Sequence, residues 1–424
     1  MKDKISKFIS VMRRDGFFST VKKAWKYIMA NYAAKFNFRK RIRYSSQKER
    51  LLSELETILN GNYDRLIVWR SSFGWNVPLF QRPQQIAKCL AGKRCLILYE
   101  VTRMTDRIDF IKKESDDLYL VDYEVKKFEN AVFELLKKVE KPKYLQIYST
   151  CWDVRKDEVD LYVENGFRLL YEYIDDLNPA LAGTEDLPQN VRDIHSYVCS
   201  HKDALVAVSA DRLYDDIVNK RGGNENVVFA SNGVDLAHFT REKEKVGEME
   251  KISSEYKKVV GYYGALAAWF DYETVKKLAV RFPSYAFVLI GIRYDTSLDE
   301  SGLTDLPNVK YLGPVDYKKL PDYADYFDVA WIPFVINEST LATNPIKVFE
   351  YMALGKEIIT SDMPECRKYA SVRIAKDYDG YVSLLENAGQ MTDEYSALLE
   401  KEAKENSWDG KADAIISLME QNEK

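Results

Sequence analysis

Residues 337–362 read NESTLATNPIKVFEYMALGKEIITSD, a stretch with clear start and stop signals for one helix. Asn344 is a suitable N-cap, and Pro345 suits the first helical position. Gly355 suits the position just after a helix, where a left-handed backbone is common. The apolar run EIIT follows at once, and Val329–Ile332 precedes the stretch. The sequence therefore predicts a strand, a helix and a second strand, with both strands buried in a parallel sheet.

Short apolar runs of the same kind alternate with helix-like segments through most of the chain. They fall into two series, and the highly charged residues 240–256 between them predict a linker. Two such series predict an α/β protein with two doubly wound sheets, whose strands direct their carboxyl ends towards a shared cleft. The predicted strands are Leu66–Trp69, Cys95–Tyr99, Leu118–Val121, Tyr144–Tyr148, Leu169–Ile174, Ala204–Val208 and Val227–Ala230 in the first series, and Val259–Tyr263, Phe287–Ile290, Val309–Leu312, Val329–Ile332, Glu357–Thr360 and Val372–Ile374 in the second.

The first 60 residues predict amphipathic helices with an excess of positive charge. Fifteen Lys and Arg against three Asp and Glu give residues 1–50 a net charge of +12, whereas the other 374 residues carry −16. Phe8, Phe17, Phe18 and Trp25 supply apolar surface in this segment. The pattern is typical of a helix that lies on an anionic membrane surface. The alternative is a set of solvated helices that pack on the main body.

The composition argues against several classes of protein. Five scattered cysteines without a Cys-x-x-Cys pair argue against a disulfide framework or a zinc site, and the three histidines lack metal-ligand spacing. No apolar run approaches the roughly 18 residues that a membrane-spanning helix needs. No secretory signal pattern opens the sequence, so we expect a cytoplasmic protein, peripheral on the inner face of the membrane.

The predicted helix after Asn344 carries the most informative polar residues. Asn344, Lys347 and Glu350 recur every three residues and so lie close to one face. A helix N-terminus and a lysine together suit a diphosphate, because both present positive charge. A carboxylate further along can accept hydrogen bonds from the hydroxyls of a ribose. The alternative is a capped surface helix with a Lys347–Glu350 ion pair.

Loops with small residues follow a strand in each half of the chain. After the strand that opens the second series come Gly264 and Ala265, where small residues let the backbone approach a phosphate. In the first half, Gly74 and Trp75 lie in a loop after the first strand, and Arg82 lies near the start of the next helix. Arg82 is a candidate for contact with a phosphate or an acidic ligand, or else forms a structural ion pair.

Two adjacent carboxylates, Asp175 and Asp176, follow a predicted strand at its carboxyl edge and are candidate general bases. Neighbouring strand residues point to opposite faces, so at most one of them is expected to reach the cleft. His195 lies in a helix-like segment and is a further candidate, although a structural histidine fits the pattern at least as well. Lys347 is the candidate for stabilising negative charge on a departing phosphate.

Eight segments occur in a fixed order over roughly residues 65–415. They read QRPQQIAKCLA, YEYIDDL, LVAVSA, SNGVDLAHF, GYYGALAAWFDYETV, VLIG, LPNVKYLGPVDYKKLPDYADYFDVAWIPF and TNPIKVFEYMALGKEIITSD. The ordered set resembles bacterial glycosyltransferases of the two-Rossmann (GT-B) type near family 4, which build surface polysaccharides. The resemblance implies two Rossmann-like domains facing across a cleft, after an N-terminal basic helical extension. The implied boundaries are 1–60 for the extension, 61–238 with the C-terminal helix 406–424 for the acceptor domain, and 239–405 for the donor domain.

The resemblance further implies a nucleoside-diphosphate sugar as donor and a hydroxyl of a lipid-linked cell-surface glycan as acceptor. It implies transfer with retention of configuration, and neither a cofactor, a metal ion nor a nucleic acid partner is expected. Glu350 matches the family glutamate that holds the ribose. The positions expected near the diphosphate are Gly264, Ala265, Asn344 and Lys347, and those in the loop that frames the base include Gly313 and Tyr317.

Three alternatives remain open at this point. An inverting transferase would use the same fold, with Asp175 or Asp176 as base. A nucleotide-sugar epimerase or a phosphorylase could also use it, because a fold does not fix a function. The third alternative is a non-catalytic glycan-binding subunit. It is favoured by Ala342, which stands where the family usually has a glutamate, and disfavoured by the intact Asn344–Lys347–Glu350 pattern.

Overall fold

The structure is a computed structural model that describes residues 17–71, 73–77, 80–101, 106–177 and 187–423. Phe8 lies outside the described residues, as do the side chains of residues 17–37, among them Phe17, Phe18 and Trp25, and that of Ser339. The chain divides into two compact units. The first consists of residues 1–62, 108–112 and 121–139, and the second of residues 63–107, 113–120 and 140–424.

Helices and strands alternate along the described chain. The α-helices are α1 (Phe17–Leu59), α2 (Arg82–Ala91), α3 (Lys126–Leu136), α4 (Lys156–Glu164), α5 (Gln189–Ser200), α6 (Asp211–Arg221), α7 (Leu236–Thr240), α8 (Gly247–Glu255), α9 (Tyr272–Arg281), α10 (Ser297–Ser301), α11 (Leu320–Ala324), α12 (Glu338–Leu341), α13 (Ile346–Ala353), α14 (Tyr378–Asn387), α15 (Asp393–Glu405) and α16 (Trp408–Asn422). The strands are β1 (Arg65–Arg70), β2 (Cys95–Glu100), β3 (Ile111–Ser115), β4 (Leu118–Val121), β5 (Lys143–Tyr148), β6 (Arg168–Tyr173), β7 (Leu205–Val208), β8 (Val227–Phe229), β9 (Lys258–Tyr263), β10 (Tyr285–Ile290), β11 (Val309–Gly313), β12 (Val329–Ile332), β13 (Glu357–Ser361) and β14 (Val372–Ala375).

The first unit is built on the long helix α1. The ring of Tyr44 packs between those of Phe110 and Phe128, with centroids 5.8 and 5.7 Å away. On the opposite side, Phe38 and Ile42 are 65% and 56% exposed, one helical turn apart. No helix in the described part of the chain is both long and apolar enough to span a membrane.

The second unit contains two sheets. The first has eight strands in the order β3-β4-β2-β1-β5-β6-β7-β8, and the pairs from β2 to β8 are parallel. The second has six strands in the order β11-β10-β9-β12-β13-β14, all parallel. This second order is that of a dinucleotide-binding Rossmann sheet, with its switch point between β9 and β12. Strands β9, β10, β12 and β13 are almost wholly buried, as expected of parallel strands covered on both faces.

The structure departs from the sequence predictions in two elements. Strand β3 was not predicted, because four of its five residues are exposed and its sequence, IKKES, lacks an apolar run. The predicted linker at 240–256 contains helix α8, which buries Met249 and Ile252 beneath its charged residues. Two buried side chains on one helix are too weak a periodic signal to stand out among so many charges.

The C-terminal helix α16 packs against the first sheet. Arg65 at the start of β1 pairs with Glu423 at 2.7 Å, and the hydroxyl of Tyr144 on β5 donates to the same carboxylate at 2.6 Å. Backbone bonds between Val234 and both Asn406 and Trp408 join the chain before this helix to the end of the first sheet domain.

Candidate active site

A pocket of about 190 Å³ lies at the carboxyl ends of β9 and β10, where open α/β sheets bind ligands. We call it the Lys347 pocket. Predicted site residues that line it are Gly264, Ala265, Tyr317, Lys347 and Glu350, joined by Phe80, Gln81, Tyr263, Trp269, Leu320 and Ile346. The structure therefore brings together five of the seven residues that the sequence assigned to donor binding.

Two glycines shape the floor of this pocket. Gly264 has φ +141°, and a Cβ placed there would lie 2.3 Å from Cε of Lys347. Gly291, at the end of β10, has φ +145°, and its Cβ would lie 1.8 Å from the carbonyl oxygen of Gly264. Both backbones need a residue without a side chain, because the two strand ends and the lysine meet at van der Waals distance.

The ammonium of Lys347 lies beside the Gly264 backbone. Its Nζ is 5.4 and 5.6 Å from the ring centroids of Tyr262 and Phe334. Within the described residues no carboxylate oxygen approaches this Nζ within 4.0 Å, so the ion pair with Glu350 that the sequence left open does not form. Burial lowers the pKa of Lys347, while the charge of Glu350 opposes that shift. An ammonium held by ring faces in a pocket is suited to an anionic ligand.

Glu350 lies one turn further along α13 and is 5% exposed. The hydroxyl of Tyr263, the last residue of β9, donates to its Oε2 at 2.8 Å. Burial raises the pKa of Glu350, and both this hydrogen bond and the charge of Lys347 oppose the rise. The other carboxylate oxygen remains available to accept hydrogen bonds from a ligand.

Helix α13 begins later than the sequence predicted. Its N-cap is Pro345, whose backbone is extended, so Asn344 is not the N-cap and Pro345 is not the first helical residue. Asn344 accepts a hydrogen bond from the Asn232 backbone N–H at 3.2 Å and donates to Glu365 at 2.9 Å. These bonds use the amide in linking the two sheet domains, and the side chain does not line the Lys347 pocket. The helix ends as predicted, with Gly355 at φ +64° just after it.

Tyr317 forms one wall of the pocket. Its hydroxyl accepts a hydrogen bond from Gln85 at 2.8 Å, and its ring packs on Phe80 with the centroids 5.4 Å apart and on His238 at 4.6 Å. Gly313 contributes through its carbonyl oxygen, which accepts from the Gly291 N–H at 2.8 Å. A narrow apolar slot extends the pocket past Gly264 and is lined by Ile290, Gly291, Ile292, Pro314, Val315 and Leu320.

A second cavity, of about 340 Å³, adjoins the first, and Gln81 and Ile346 line both. We call it the Asp175 cavity. Asp175 is exposed there, whereas Asp176 lies 3.2 Å from Arg212 in an ion pair, as expected if neighbouring residues point apart. Loss of hydration at its carboxylate raises the pKa of Asp175, and the charge of Arg82 opposes the rise. The full lining is Ser71, Phe73, Gln81, Arg82, Pro83, Tyr148, Thr150, Cys151, Trp152, Ile174, Asp175, Asn232 and Ile346.

Arg82 is 3% exposed and forms the structural ion pair that the sequence left as an alternative. Its Nε donates to Glu172 on β6 at 2.6 Å, and Glu172 is fully buried. Its Nη1 donates to the Ser231 carbonyl at 3.0 Å. The guanidinium therefore fixes the edge of the cavity, and its charge is largely matched by Glu172.

His195 and the Gly74–Trp75 loop lie elsewhere. His195 contacts the Tyr171 hydroxyl at 3.1 Å and Lys220 at 3.2 Å, away from the lining of both cavities. Burial and the charge of Lys220 lower the pKa of His195 to about 4. In the loop, the Gly74 carbonyl accepts from Gln84, and Trp75 lines a groove of about 690 Å³. The structure gives His195 a packing role, while the loop faces this groove.

Several pocket residues were not predicted. Tyr263 ends the strand VVGYY, and its place at a carboxyl edge was a usable signal. Gln81, Trp152 and Ile346 carry no such signal, because their positions depend on how distant loops meet. Among the described residues, no group of three or more His, Cys, Asp or Glu side chains is placed to bind a metal ion.

The family model described as "Glycosyl transferases group 1" matches residues 257–401, which include β9 to β14 and α13. Residues 257–401 are a group 1 glycosyltransferase domain. A 167-residue segment is also 28% identical to TuaH of Bacillus subtilis (strain 168), described as a glycosyltransferase of teichuronic acid biosynthesis. That match covers 38% of this chain and 41% of TuaH, so the chain spans less than half the length of this curated relative.

The glycosyltransferase domain and its partner sheet also match solved structures as a whole. Sucrose-phosphate synthase from Thermosynechococcus elongatus is similar at a TM-score of 0.62 and 13% identity, over 84% of this chain and 98% of that one. HepE from Anabaena, solved in complex with UDP, is similar at 0.54 and 14% identity, over 84% and 100%. At these identities the likeness concerns the fold, and it confirms the two-domain GT-B architecture.

Proposed function

We propose that this chain transfers a sugar from a nucleoside-diphosphate donor to a hydroxyl of a cell-surface glycan. The observation that carries the proposal is the ammonium of Lys347, placed over Gly264 in a glycosyltransferase domain with no carboxylate oxygen of the described residues within 4.0 Å, so that Glu350 acts on it only at longer range. A diphosphate supplies the negative charge that this group lacks. It also develops further charge as the sugar departs, which a fixed ammonium stabilises.

The remaining groups suit the other parts of such a donor. The free oxygen of Glu350 accepts hydrogen bonds from ribose hydroxyls. The slot beside Pro314 and Val315 accommodates the flat, largely apolar face of a base. The sugar then lies towards Gln81 and Ile346, where the Lys347 pocket opens to the Asp175 cavity.

Nucleotide binding and transfer test the proposal directly. A thermal-shift screen of nucleoside diphosphates, starting with UDP because HepE is solved with it, should raise the melting temperature for at least one base. The matching nucleotide sugars should then be hydrolysed slowly without acceptor and consumed faster with one. Binding without any turnover would favour a glycan-binding subunit, and no binding at all would overturn the proposal.

We further propose that transfer proceeds without a metal ion and with retention of configuration, as in the family that the sequence resembles. An inverting reaction is the second candidate, because Asp175 lines the cavity next to the Lys347 pocket and could act as base. The anomeric configuration of the product, read by NMR before mutarotation, distinguishes the two.

A lipid-linked acceptor and a membrane-surface location complete the proposal. The net charge of +12 over residues 1–50 favours an anionic leaflet at roughly 1 kcal/mol per engaged basic residue. Exposed Phe38 and Ile42 add apolar surface on the described part of α1. We expect the chain to cosediment with anionic vesicles at low salt and to be released at high salt.

The structure favours substitution over truncation for this test. Removing the first 60 residues would take Tyr44 from between Phe110 and Phe128 and expose both rings. The double variant Phe38→Ser with Ile42→Ser alters only exposed positions and should weaken cosedimentation. Unchanged binding of this variant together with binding that resists high salt would favour the packing role for these helices.

A further inference from the structure

The Asp175 cavity holds features that the donor does not require. It adjoins the Lys347 pocket, and its walls combine neutral polar side chains, the carboxylate of Asp175 and the paired Arg82 with one exposed indole, that of Trp152. Resting on the proposed function, we propose that this cavity is the acceptor site and that it selects an uncharged pyranose, whose apolar face packs on Trp152 and whose hydroxyls reach Asp175 and Thr150.

Trp152 is 64% exposed at the edge of a cavity. Its exposure leaves an aromatic face that a ligand in the cavity can cover, and covering it would gain the free energy of apolar burial. The axial C–H bonds of a pyranose present partial positive charge to the negative face of an aromatic ring. A ring at the edge with polar groups inside is also the usual composition of a small-molecule site.

The loop that carries Trp152 is held in place. It follows β5, and the Ser149 N–H donates to the Glu172 carbonyl at 2.8 Å. The side chain of Asn190, on α5, donates to the carbonyl oxygens of Trp152 and Val154, the latter at 2.8 Å. The indole is therefore presented by an anchored backbone, which lowers the ordering cost of stacking a ligand on it.

Charge decides the class of sugar. Arg82 is the basic residue in the lining, and Glu172 already pairs with it at 2.6 Å. The carboxylate of Asp175 faces the cavity with no Lys or Arg of the described chain within 4.0 Å of it. The Nη2 of Arg82 has no hydrogen-bond partner among the described residues, but the charge of the guanidinium is already offset by Glu172. A uronic acid would bring a second carboxylate beside Asp175 with no further cation to offset it, so a neutral pyranose binds better.

The junction between the cavities places the reacting atoms. Gln81 and Ile346 line both spaces, so a pyranose on Trp152 directs one hydroxyl towards the donor sugar across this pair. Transfer forms a bond between that hydroxyl oxygen and the anomeric carbon, while the bond from the anomeric carbon to the diphosphate oxygen breaks. The hydroxyl proton goes to the departing phosphate in retention, or to Asp175 in inversion.

Saturation-transfer NMR on the full chain with saturating UDP tests the inference. The probes are neutral methyl pyranosides of gluco, galacto, manno and N-acetylglucosamine configuration, together with methyl glucuronoside and methyl galacturonoside. At least one neutral glycoside should bind more tightly than both uronosides. Trp152→Ala should weaken that binding about tenfold, whereas Trp152→Phe should stay within about threefold. Leu161→Ala, an exposed apolar control in the same domain, should change nothing.

Two results would overturn the inference. One is binding of the neutral glycosides by Trp152→Ala at the wild-type level, or binding of none of them by the wild type. The other is preference for a uronoside that persists in Asp175→Asn, since this substitution should instead admit uronosides. If another nucleoside diphosphate binds more tightly than UDP in the thermal-shift screen, it replaces UDP in these experiments. Titration calorimetry of that nucleotide on every variant separates these results from failure of the proposed function, which would appear as the absence of binding of any nucleoside diphosphate to the wild type.

Discussion

The Lys347 pocket and the Asp175 cavity share Gln81 and Ile346, yet they are built in different ways. The first depends on backbone: two glycines with positive φ let strand ends approach one helix that carries a cation and a carboxylate. The second depends on side chains delivered by several separate loops, with the carboxylate of Asp175 among neutral polar groups and Arg82 paired with Glu172. A pocket for the constant part of a donor can be fixed by a short local pattern. A site for a variable acceptor is assembled from loops that can change independently.

The largest expected effect comes from Glu350→Ala. Loss of a charge-assisted hydrogen bond should weaken nucleoside-diphosphate binding about tenfold or more and nearly abolish transfer. Tyr263 also loses its acceptor, so the melting temperature should fall modestly while the fold persists. Glu386→Ala, at an exposed position on α14, is the control. Wild-type affinity and turnover in Glu350→Ala would contradict the assignment of Glu350 to the ribose. The Lys347 pocket would then no longer differ from the Asp175 cavity in depending on a short local pattern.

Gly264→Ala tests the backbone construction of the Lys347 pocket. The new Cβ would meet Lys347 Cε at 2.3 Å, so we expect the ammonium to be displaced and UDP affinity to fall severalfold. Gly355→Ala is the matched control, because it also has positive φ but has open space around it. It should cost about 1 kcal/mol of stability and leave UDP binding intact. If calorimetry gives equal UDP affinity for both variants, the position of the Lys347 ammonium does not contribute to phosphate binding.

The pH dependence of UDP binding should reflect the buried pair in the same pocket. Burial raises the pKa of Glu350, so the carboxylate is lost as pH falls through a value above that of an ordinary glutamate. Burial lowers the pKa of Lys347, so the ammonium is lost as pH rises through a value below that of an ordinary lysine. UDP affinity plotted against pH should therefore give a bell-shaped curve, and its plateau should be narrower than the one that an exposed glutamate and an exposed lysine would give. Glu350→Gln should remove the acidic limb and move the basic limb to lower pH, because the charge of Glu350 opposes the lowering of the pKa of Lys347. A flat profile in the wild type would count against both assignments.

The smallest expected effect is that of a chelator. If helix α13 and Lys347 hold the diphosphate, UDP binding and transfer should be unchanged in excess EDTA. Loss of activity that Mg²⁺ or Mn²⁺ restores would mean that a metal ion, and not the ammonium, offsets the phosphate charge. The Lys347 pocket would then have to contain a binding site for a metal ion.

Much of the domain built on the second sheet (β9 to β14) was predictable, because the sequence signals of its elements are local. Every predicted strand is present within two residues at each end, since buried parallel strands are short runs of apolar residues bounded by turns. Gly264, Lys347 and Glu350 could be expected to lie near one another because each has a fixed position relative to such a strand or along one helix, and the three line one pocket. Asn344 was wrongly predicted as the N-cap because its amide bonds to Asn232 and Glu365, which are 112 and 21 positions away, and Pro345 takes the capping position.

The domain built on the first sheet (β1 to β8) contains features that could not be predicted from the sequence. Arg82 had two possible roles, and only the position of Glu172 on the neighbouring strand decided for the ion pair. Trp152 gave no signal, because a tryptophan in a loop is unremarkable until the loop is known to border a cavity. His195 was a candidate by residue type, and its packing against Tyr171 and Lys220 is a tertiary fact.

The sequence by itself determined the alternation of strands and helices, the glycines at the ends of β9 and β10, and the spacing of Lys347 and Glu350 on one helix. These features depend on interactions within about one turn or one strand, so local pattern is enough to specify them. The tertiary structure decided that no carboxylate oxygen of the described residues lies within 4.0 Å of the Lys347 ammonium. It also decided that Asp175 rather than Asp176 opens into a cavity, and that this cavity meets the first at Gln81 and Ile346. Those outcomes depend on how separate elements of the chain pack against one another, and such packing leaves no local trace in the sequence.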